Sequence, residues 1–317
     1  MPNQNNNNSS PIRWVAIAGQ WEFRNGCRYE GPIEESHTPF GLALSNQSLR
    51  DGIIAATISF SKLDDTHGIG TWAGMVLGFR SENSSYVVPQ LGGYSQAYVI
   101  ATFEPGMGWR PIVSAGSISN LEPNVPYRLE VEQRGQRIRM KVDTVPVFDQ
   151  VLANPLMGIQ VGLYAWGASP IDFTEFVVKQ EGKPQAFVAM PFQEPFDTFY
   201  REVIKPEAEQ LGFKVVRIDE MAKPGIIFED IKREIEDAQV VIAEITSPSQ
   251  NVFYELGYAH ALRKPAVLLA QRGKELPFDI HSYRVIFYDD SIGGKPLVER
   301  KLRDHLRTIL TELTPTA

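Results

Sequence analysis

The hydrophobic period of this chain changes once, and that change constrains its fold more than any other feature. From Ile12 to about Gln180 there is no helical period: short apolar or alternating runs are separated by Gly, Pro, Asn and Ser. From Gln185 onward, continuous apolar runs of strand length alternate with segments whose apolar residues recur every three or four positions. The break falls in Lys179–Pro184 (KQEGKP), which is polar and carries both Gly and Pro, the usual makeup of a domain boundary. A length of 317 residues suits two cores better than one. The expected organisation is a polar, low-complexity tail over residues 1–11, read as disordered, an all-β domain over 12–180 and an α/β domain over 185–317.

In the first domain the pattern predicts strands at Gly52–Ser61, Trp72–Phe79, Ala97–Phe103, Tyr127–Glu132, Arg137–Val142, Gly158–Tyr164 and Ile171–Val178. Many short strands with dense Gly/Pro punctuation indicate a β-sandwich or barrel. Trp72, Tyr86, Tyr94, Trp109 and Trp166 could stack on a sugar, but core packing is the favoured reading for each. Asp64 and Asp65, in KLDDTHG, read as a turn.

In the second domain, strands are expected at Ala186–Met190, Phe213–Ile218, Val240–Ile245, Ala266–Ala270 and Val285–Tyr288. Helices are expected at Pro195–Leu211, Ile226–Ala238, Asn251–Arg263 and Leu297–Leu313. Continuously apolar strands separated by helices mean a parallel sheet covered on both faces. Five strands with right-handed crossovers most naturally take the flavodoxin-like order 2-1-3-4-5. Ligands of such sheets bind beyond the C-terminal strand ends, beside the switch point, which gathers the loops Pro191–Glu194, Asp219–Gly225 and Thr246–Asn251. Met190, Pro191, Phe192, Asp219, Gly225, Glu244, Thr246, Asn251 and Tyr254 are therefore the candidate substrate-binding residues.

Glu255, next to Tyr254 on the same helix, is the candidate catalytic residue. At 100° per residue it sits at the edge of the stripe formed by Val252, Leu256, Ala259 and Arg263, early in its helix. An acid favoured by the helix dipole fits that position, and so does an acid aimed at the cleft rim. Glu244 ends an otherwise apolar strand, where a carboxylate is costly unless it has a partner or a task. Two carboxylates meeting in one cleft would suit glycosyl transfer. His260, five residues after Glu255, faces elsewhere on the helix and reads as structural. His281, in a loop, carries no signal.

Other classes are disfavoured. The net charge is −7, with 13 basic against 16 acidic residues up to Gln180 and 18 against 22 beyond it, so neither half has a nucleic-acid footprint. The run Arg134, Arg137, Arg139, Lys141 reads as a solvated strand face. A single cysteine, Cys27, allows no disulfide within the chain and no cysteine-based zinc site, which fits a reducing, cytoplasmic setting. No metal or cofactor is expected. The N-terminus lacks the basic and apolar regions of a signal peptide, and Trp14–Ala18 is too short to span a membrane. There is neither a Gly-x-Gly-x-x-Gly fingerprint nor a Walker loop.

Two resemblances add to this reading. The stretches YRLEVEQRGQRIRMKVDTVPVFD and GIQVGLYAWGASPIDFTEFVV resemble the closing strands of concanavalin-A-like (laminin-G-like) sandwiches, which implies a carbohydrate or protein ligand or an assembly role for this half. AFVAMPF, IDEMAKPGIIFEDIKREIEDAQVVIAEIT and NVFYELGYAHAL resemble the nucleoside 2-deoxyribosyltransferase-like and TIR-like families, over most of residues 185–290. In both families a glutamate on the helix after the third strand is the key catalytic carboxylate, and Glu255 matches it. The loop with Pro224 and Gly225 matches the TIR loop that controls access to the site. The deoxyribosyltransferase-like pattern has Asp where this chain has Glu244. The resemblance implies an N-ribosyl hydrolase that cleaves the nicotinamide–ribose bond of NAD, with NAD as substrate and not cofactor. It implies gating by the sandwich and by assembly into a homo-oligomer, as in bacterial TIR-type antiviral effectors. A deoxyribosyltransferase on free nucleosides or nucleotides, and a non-catalytic nucleotide-binding signalling module, are the alternatives.

Overall fold

The computed structural model describes residues 11–33, 39–63, 70–220, 227–274 and 283–312. The tail assignment for residues 1–10, Asp64, Asp65, the access loop with Pro224 and Gly225, and His281 lie outside them.

Among the described residues, the first domain is a two-sheet antiparallel sandwich of fourteen strands. These are β1 (Trp14–Ala18), β2 (Gln20–Glu22), β3 (Cys27–Gly31), β4 (Phe40–Ser48), β5 (Gly52–Phe60), β6 (Trp72–Phe79) and β7 (Tyr86–Gly92). β8 (Gln96–Glu104), β9 (Gly108–Ser117), β10 (Pro126–Arg134), β11 (Arg137–Val142), β12 (Val145–Val151), β13 (Gln160–Trp166) and β14 (Ile171–Gln180) follow. One sheet has the order β1-β4-β13-β6-β7-β8-β9 and the other β12-β11-β10-β5-β14-β3-β2. Strand alternation sorts the side chains. Ala73, Met75 and Leu77 of β6 enter the inter-sheet core with Ile54, Ile58, Leu129, Val131 and Phe173. The alternate residues Trp72 and Val76 join Leu42, Tyr86 and Tyr164 in a second apolar cluster on the other face of the first sheet. All seven expected strands are present, two with the expected bounds and five differing by one or two residues at one or both ends.

The second domain carries β15 (Gln185–Ala189), β16 (Lys214–Val216), β17 (Val240–Glu244), β18 (Ala266–Gln271) and β19 (Val285–Tyr288), all parallel, in the order β16-β15-β17-β18-β19. Its helices are α1 (Phe196–Phe199), α2 (Lys205–Gln210), α3 (Ile227–Asp237), α4 (Gln250–Ala261) and α5 (Lys295–Glu312). α1, α2, the turn between them and α5 cover one face through Phe196, Tyr200, Ile204, Ala208, Leu302 and Leu306. α3 and α4 cover the other through Ile235, Val252, Leu256 and Ala259. The single helix expected from Pro195 to Leu211 is broken by a π-helical turn, Tyr200–Ile204, just before Pro206. Proline has no N–H and its ring crowds the carbonyl four residues back, and a wider turn relieves both. The second strand is shorter than expected because the chain turns into a 3-10 helix at Ile218–Glu220.

The β10–β11 hairpin tip touches the second domain where α3 and α4 end. Gln136 donates from its backbone N–H to Glu236 O (3.2 Å) and from its side chain to Leu262 O (2.9 Å). Arg137 pairs with Glu236 and Asp237. Gln239 donates to Asp51 of the sandwich (3.0 Å). The Lys264 ammonium, buried here, donates to Glu236 O (2.6 Å) and Ala238 O (2.7 Å). The two helices held at this joint are also the two that wall the cleft described next.

Candidate active site

A cleft of about 620 Å³ opens beyond the C-terminal ends of the central strands. Met190, Pro191, Phe192 and Gln193 enter from the loop after β15, and Ile218 from the segment after β16. Phe228 and Ile231 come from α3, Ser247 and Ser249 from the loop after β17, and Asn251, Tyr254 and Glu255 from α4. Parallel strands end their carbonyls on this side, so the loops that follow them converge there.

Glu255 is the only ionisable carboxylate among these lining residues. Val252, Leu256 and Ala259 of the same helix pack onto the sheet, and Glu255, three residues after Val252, is carried inward with them to 5% exposure. It has no hydrogen-bond or ion-pair partner among the described residues. Burial without a partner disfavours the carboxylate, and the carboxyl is pushed up from 4.5 to about 7. The position at the stripe edge was readable from the sequence; the depth of burial was not.

Aromatic rings frame the opening. Phe228 and Tyr254 are in tilted contact at 5.4 Å between centroids, and both remain half exposed. Phe192 lies over the Arg217 guanidinium at 5.4 Å. Arg217 also sits 4.3 Å from the Tyr200 ring and binds Asp219 (2.6 Å, through both oxygens) and Asp197 (2.8 Å). Met190, at 2% exposure, closes the floor.

Of the sequence-predicted residues, Met190, Pro191, Phe192, Asn251, Tyr254 and Glu255 meet in this cleft. Asp219 does not: it is engaged by Arg217. The expected convergence of Glu244 with Glu255 is corrected as well. Glu244 is fully buried and lies outside the cleft lining. Its carboxylate accepts from the Thr246 N–H (3.3 Å), the Thr246 hydroxyl and the Tyr288 hydroxyl (3.0 Å). Thr246 is spent on the same knot, since its hydroxyl also accepts from Gln271 N (2.7 Å). These bonds tie the ends of β17, β18 and β19 together, which is a partner sufficient to explain a buried acid. Burial raises the Glu244 carboxyl, and the three donated bonds counter that shift. Gly225 lies outside the described residues. His260 stacks flat on Tyr283 at 4.5 Å.

Ile218, Phe228 and Ile231 were not anticipated, and Gln193, Ser247 and Ser249 were reached only as members of the loops Pro191–Glu194 and Thr246–Asn251. Phe228 is apolar and adjacent to the stripe that α3 buries, so periodicity assigns it to packing. The serines belong to a polar run that reads as a turn.

No family model matches the sequence, and no curated protein sequence matches it. Among solved structures, the sandwich is similar to a carbohydrate binding module, CBM66, from Bacillus subtilis, at 19% identity and a TM-score of 0.42, over 51% of this chain and 92% of that one. It is also similar to the galectin LEC-6 of Caenorhabditis elegans, at 16% identity and a TM-score of 0.29, over 49% and 99%. The second domain is similar to the TIR domain of the Toll-related receptor TRR-2 from Hydra magnipapillata, at 18% identity and a TM-score of 0.33, over 39% and 97%. No described helix is long and apolar enough to cross a membrane.

Proposed function

We propose that the second domain cleaves an N-glycosidic bond, that its substrate is NAD, and that Glu255 is the carboxylate at the reacting ribose. The observation that carries this reading is the unpartnered, buried Glu255 in the wall of a cleft beyond the strand ends. The motif resemblance of NVFYELGYAHAL supports the same residue.

In this reaction the bond between the ribose anomeric carbon and the nicotinamide nitrogen breaks. Its electron pair goes to the ring and cancels the ring's positive charge. The sugar becomes an oxocarbenium ion, and water adds to the anomeric carbon and gives up a proton. Glu255, ionised, opposes the developing positive charge and accepts that proton. A carboxyl held at about 7 is matched to proton transfer near neutral pH. The cationic nicotinamide riboside brings the positive charge that the unpaired carboxylate lacks, so substrate binding favours its ionised form. Phe192, Phe228 and Tyr254 offer ring faces for the base.

The hairpin contact at the ends of α3 and α4 supports a gating role for the sandwich, with assembly into a homo-oligomer completing the site in a cytoplasmic defence effector. The test is incubation of the full chain with NAD, and separately with deoxynucleosides with and without an added acceptor base, at several protein concentrations. Chromatography should show nicotinamide release that rises more than linearly with protein concentration. Product that appears only with an acceptor base identifies a deoxyribosyltransferase instead. Tight NAD binding without turnover at every concentration identifies a signalling module.

A further inference from the structure

The sandwich holds a second cavity, of about 480 Å³, on the face of the β1-to-β9 sheet that points away from the inter-sheet core. Its wall is almost wholly aromatic and aliphatic. Trp72, stacked on Tyr164 at 4.7 Å and on Trp166 at 5.8 Å, underlies a row of nearly parallel rings that continues to Phe40. Trp109, from the edge strand β9, reaches back across β8, β7 and β6 to meet Tyr164 of β13 at 4.8 Å, and meets Tyr86 of β7 at 5.6 Å, in both cases edge to face. The sheet is therefore curled, and Trp109 forms one side of a trough. Tyr86 is 6% exposed, and its hydroxyl has no hydrogen-bond partner among the described residues.

Among the described residues one charged side chain, Glu82, lines this cavity, and no lysine, arginine or histidine does. Glu82 is exposed and has no ion-pair or hydrogen-bond partner among the described residues. A sugar would leave many of its hydroxyls facing ring carbons here, because the polar groups of the lining side chains are two hydroxyls (Tyr86, Tyr164), two indole N–H groups (Trp109, Trp166) and one carboxylate. A neutral apolar ligand would make no use of the free acid. Ring faces carry negative potential, and a nearby carboxylate adds to it, which is the arrangement that binds an alkylated ammonium group.

We propose that this trough binds a small organic cation with a quaternary or alkylated ammonium head, seated against Tyr86, Trp109, Tyr164 and Trp166 with Glu82 at the rim. The cation is the charge that the lining lacks, and its methyl groups need no hydrogen bonds from the walls.

The test is titration of the full chain with choline and with benzyltrimethylammonium, read by calorimetry and by fluorescence of the wall tryptophans. A parallel titration uses the uncharged isostere of choline, in which a tert-butyl group replaces the trimethylammonium, and another uses a panel of neutral oligosaccharides. The expected result is saturable binding of a cation, at least about tenfold tighter than the isostere. Trp109→Ala should abolish it, and Glu82→Gln, a surface change that leaves the core intact, should weaken it several-fold. Equal binding of the isostere, binding of oligosaccharides alone, or no binding of either cation would overturn the proposal. So would retention of full affinity in Glu82→Gln.

Discussion

Replacing Glu255 by Gln should stabilise the second domain, by an amount that depends on pH. The side chain is 5% exposed with no partner among the described residues, and its carboxyl is raised from 4.5 to about 7. The folded state thus holds the proton more tightly than the unfolded chain does. Stability is full below 4.5 and is lost as pH rises toward and through 7, where an uncompensated charge must stay buried. That difference corresponds to about 3 kcal/mol once the group is ionised in both states. Glutamine has nearly the same shape and no proton to lose. The gap between variant and parent should be near zero in mild acid and open to about 3 kcal/mol by about pH 8. The two domains can be followed separately in urea. All five tryptophans lie in the sandwich, whereas α1 to α5 belong to the second domain. Far-UV circular dichroism therefore reports the second domain and tryptophan fluorescence the first. A gap that stays constant across the pH range, or a variant less stable than the parent in mild alkali, would refute the reasoning, because either result means that Glu255 has a partner or is solvated.

Substitutions at two further positions separate structure from chemistry. Glu244→Ala removes the acceptor shared by Thr246 and Tyr288 and should cost about 2–4 kcal/mol in urea unfolding; Glu244→Gln should release nicotinamide within a few-fold of the parent, and a loss of a hundredfold or more at unchanged stability would return Glu244 to the site. Gly135, at φ +53°, has no room for a side chain, since a Cβ would stand 2.7 Å from the carbonyl oxygens of Glu236 and Asp237; Gly135→Ala should loosen the contact between the domains, seen as faster proteolysis at Lys179–Pro184, and unchanged cleavage would contradict it.

Much of this arrangement was legible in the sequence, for physical reasons that can be named. The β-sandwich and the parallel sheet follow from hydrophobic period and from Gly/Pro punctuation, which act locally. Glu255 was legible because helix geometry fixes its angle to the stripe of Val252 and Leu256. Glu244 was misplaced because burial alone does not say whether a carboxylate faces a cleft or a knot of donors. Its partner Tyr288 is 44 residues away, on another strand. Asp219 was misplaced for a different reason: its loop does converge on the cleft side, but Arg217, two residues earlier, folds back on its carboxylate. The aromatic trough was half visible. Trp72, Tyr86, Trp109 and Trp166 were singled out one by one, but their union depends on the curl that brings Trp109 over Tyr164. No short-range pattern encodes that curl.

The central claim is that Glu255 performs the chemistry of the cleft. The direct measurement is nicotinamide release from NAD by the full chain and by Glu255→Gln, at matched high protein concentration, with circular dichroism and NAD binding measured on both. The account predicts a rate lower by about a hundredfold or more in the variant, with an intact fold and NAD still bound. Release at the parental rate by a folded Glu255→Gln variant would contradict it.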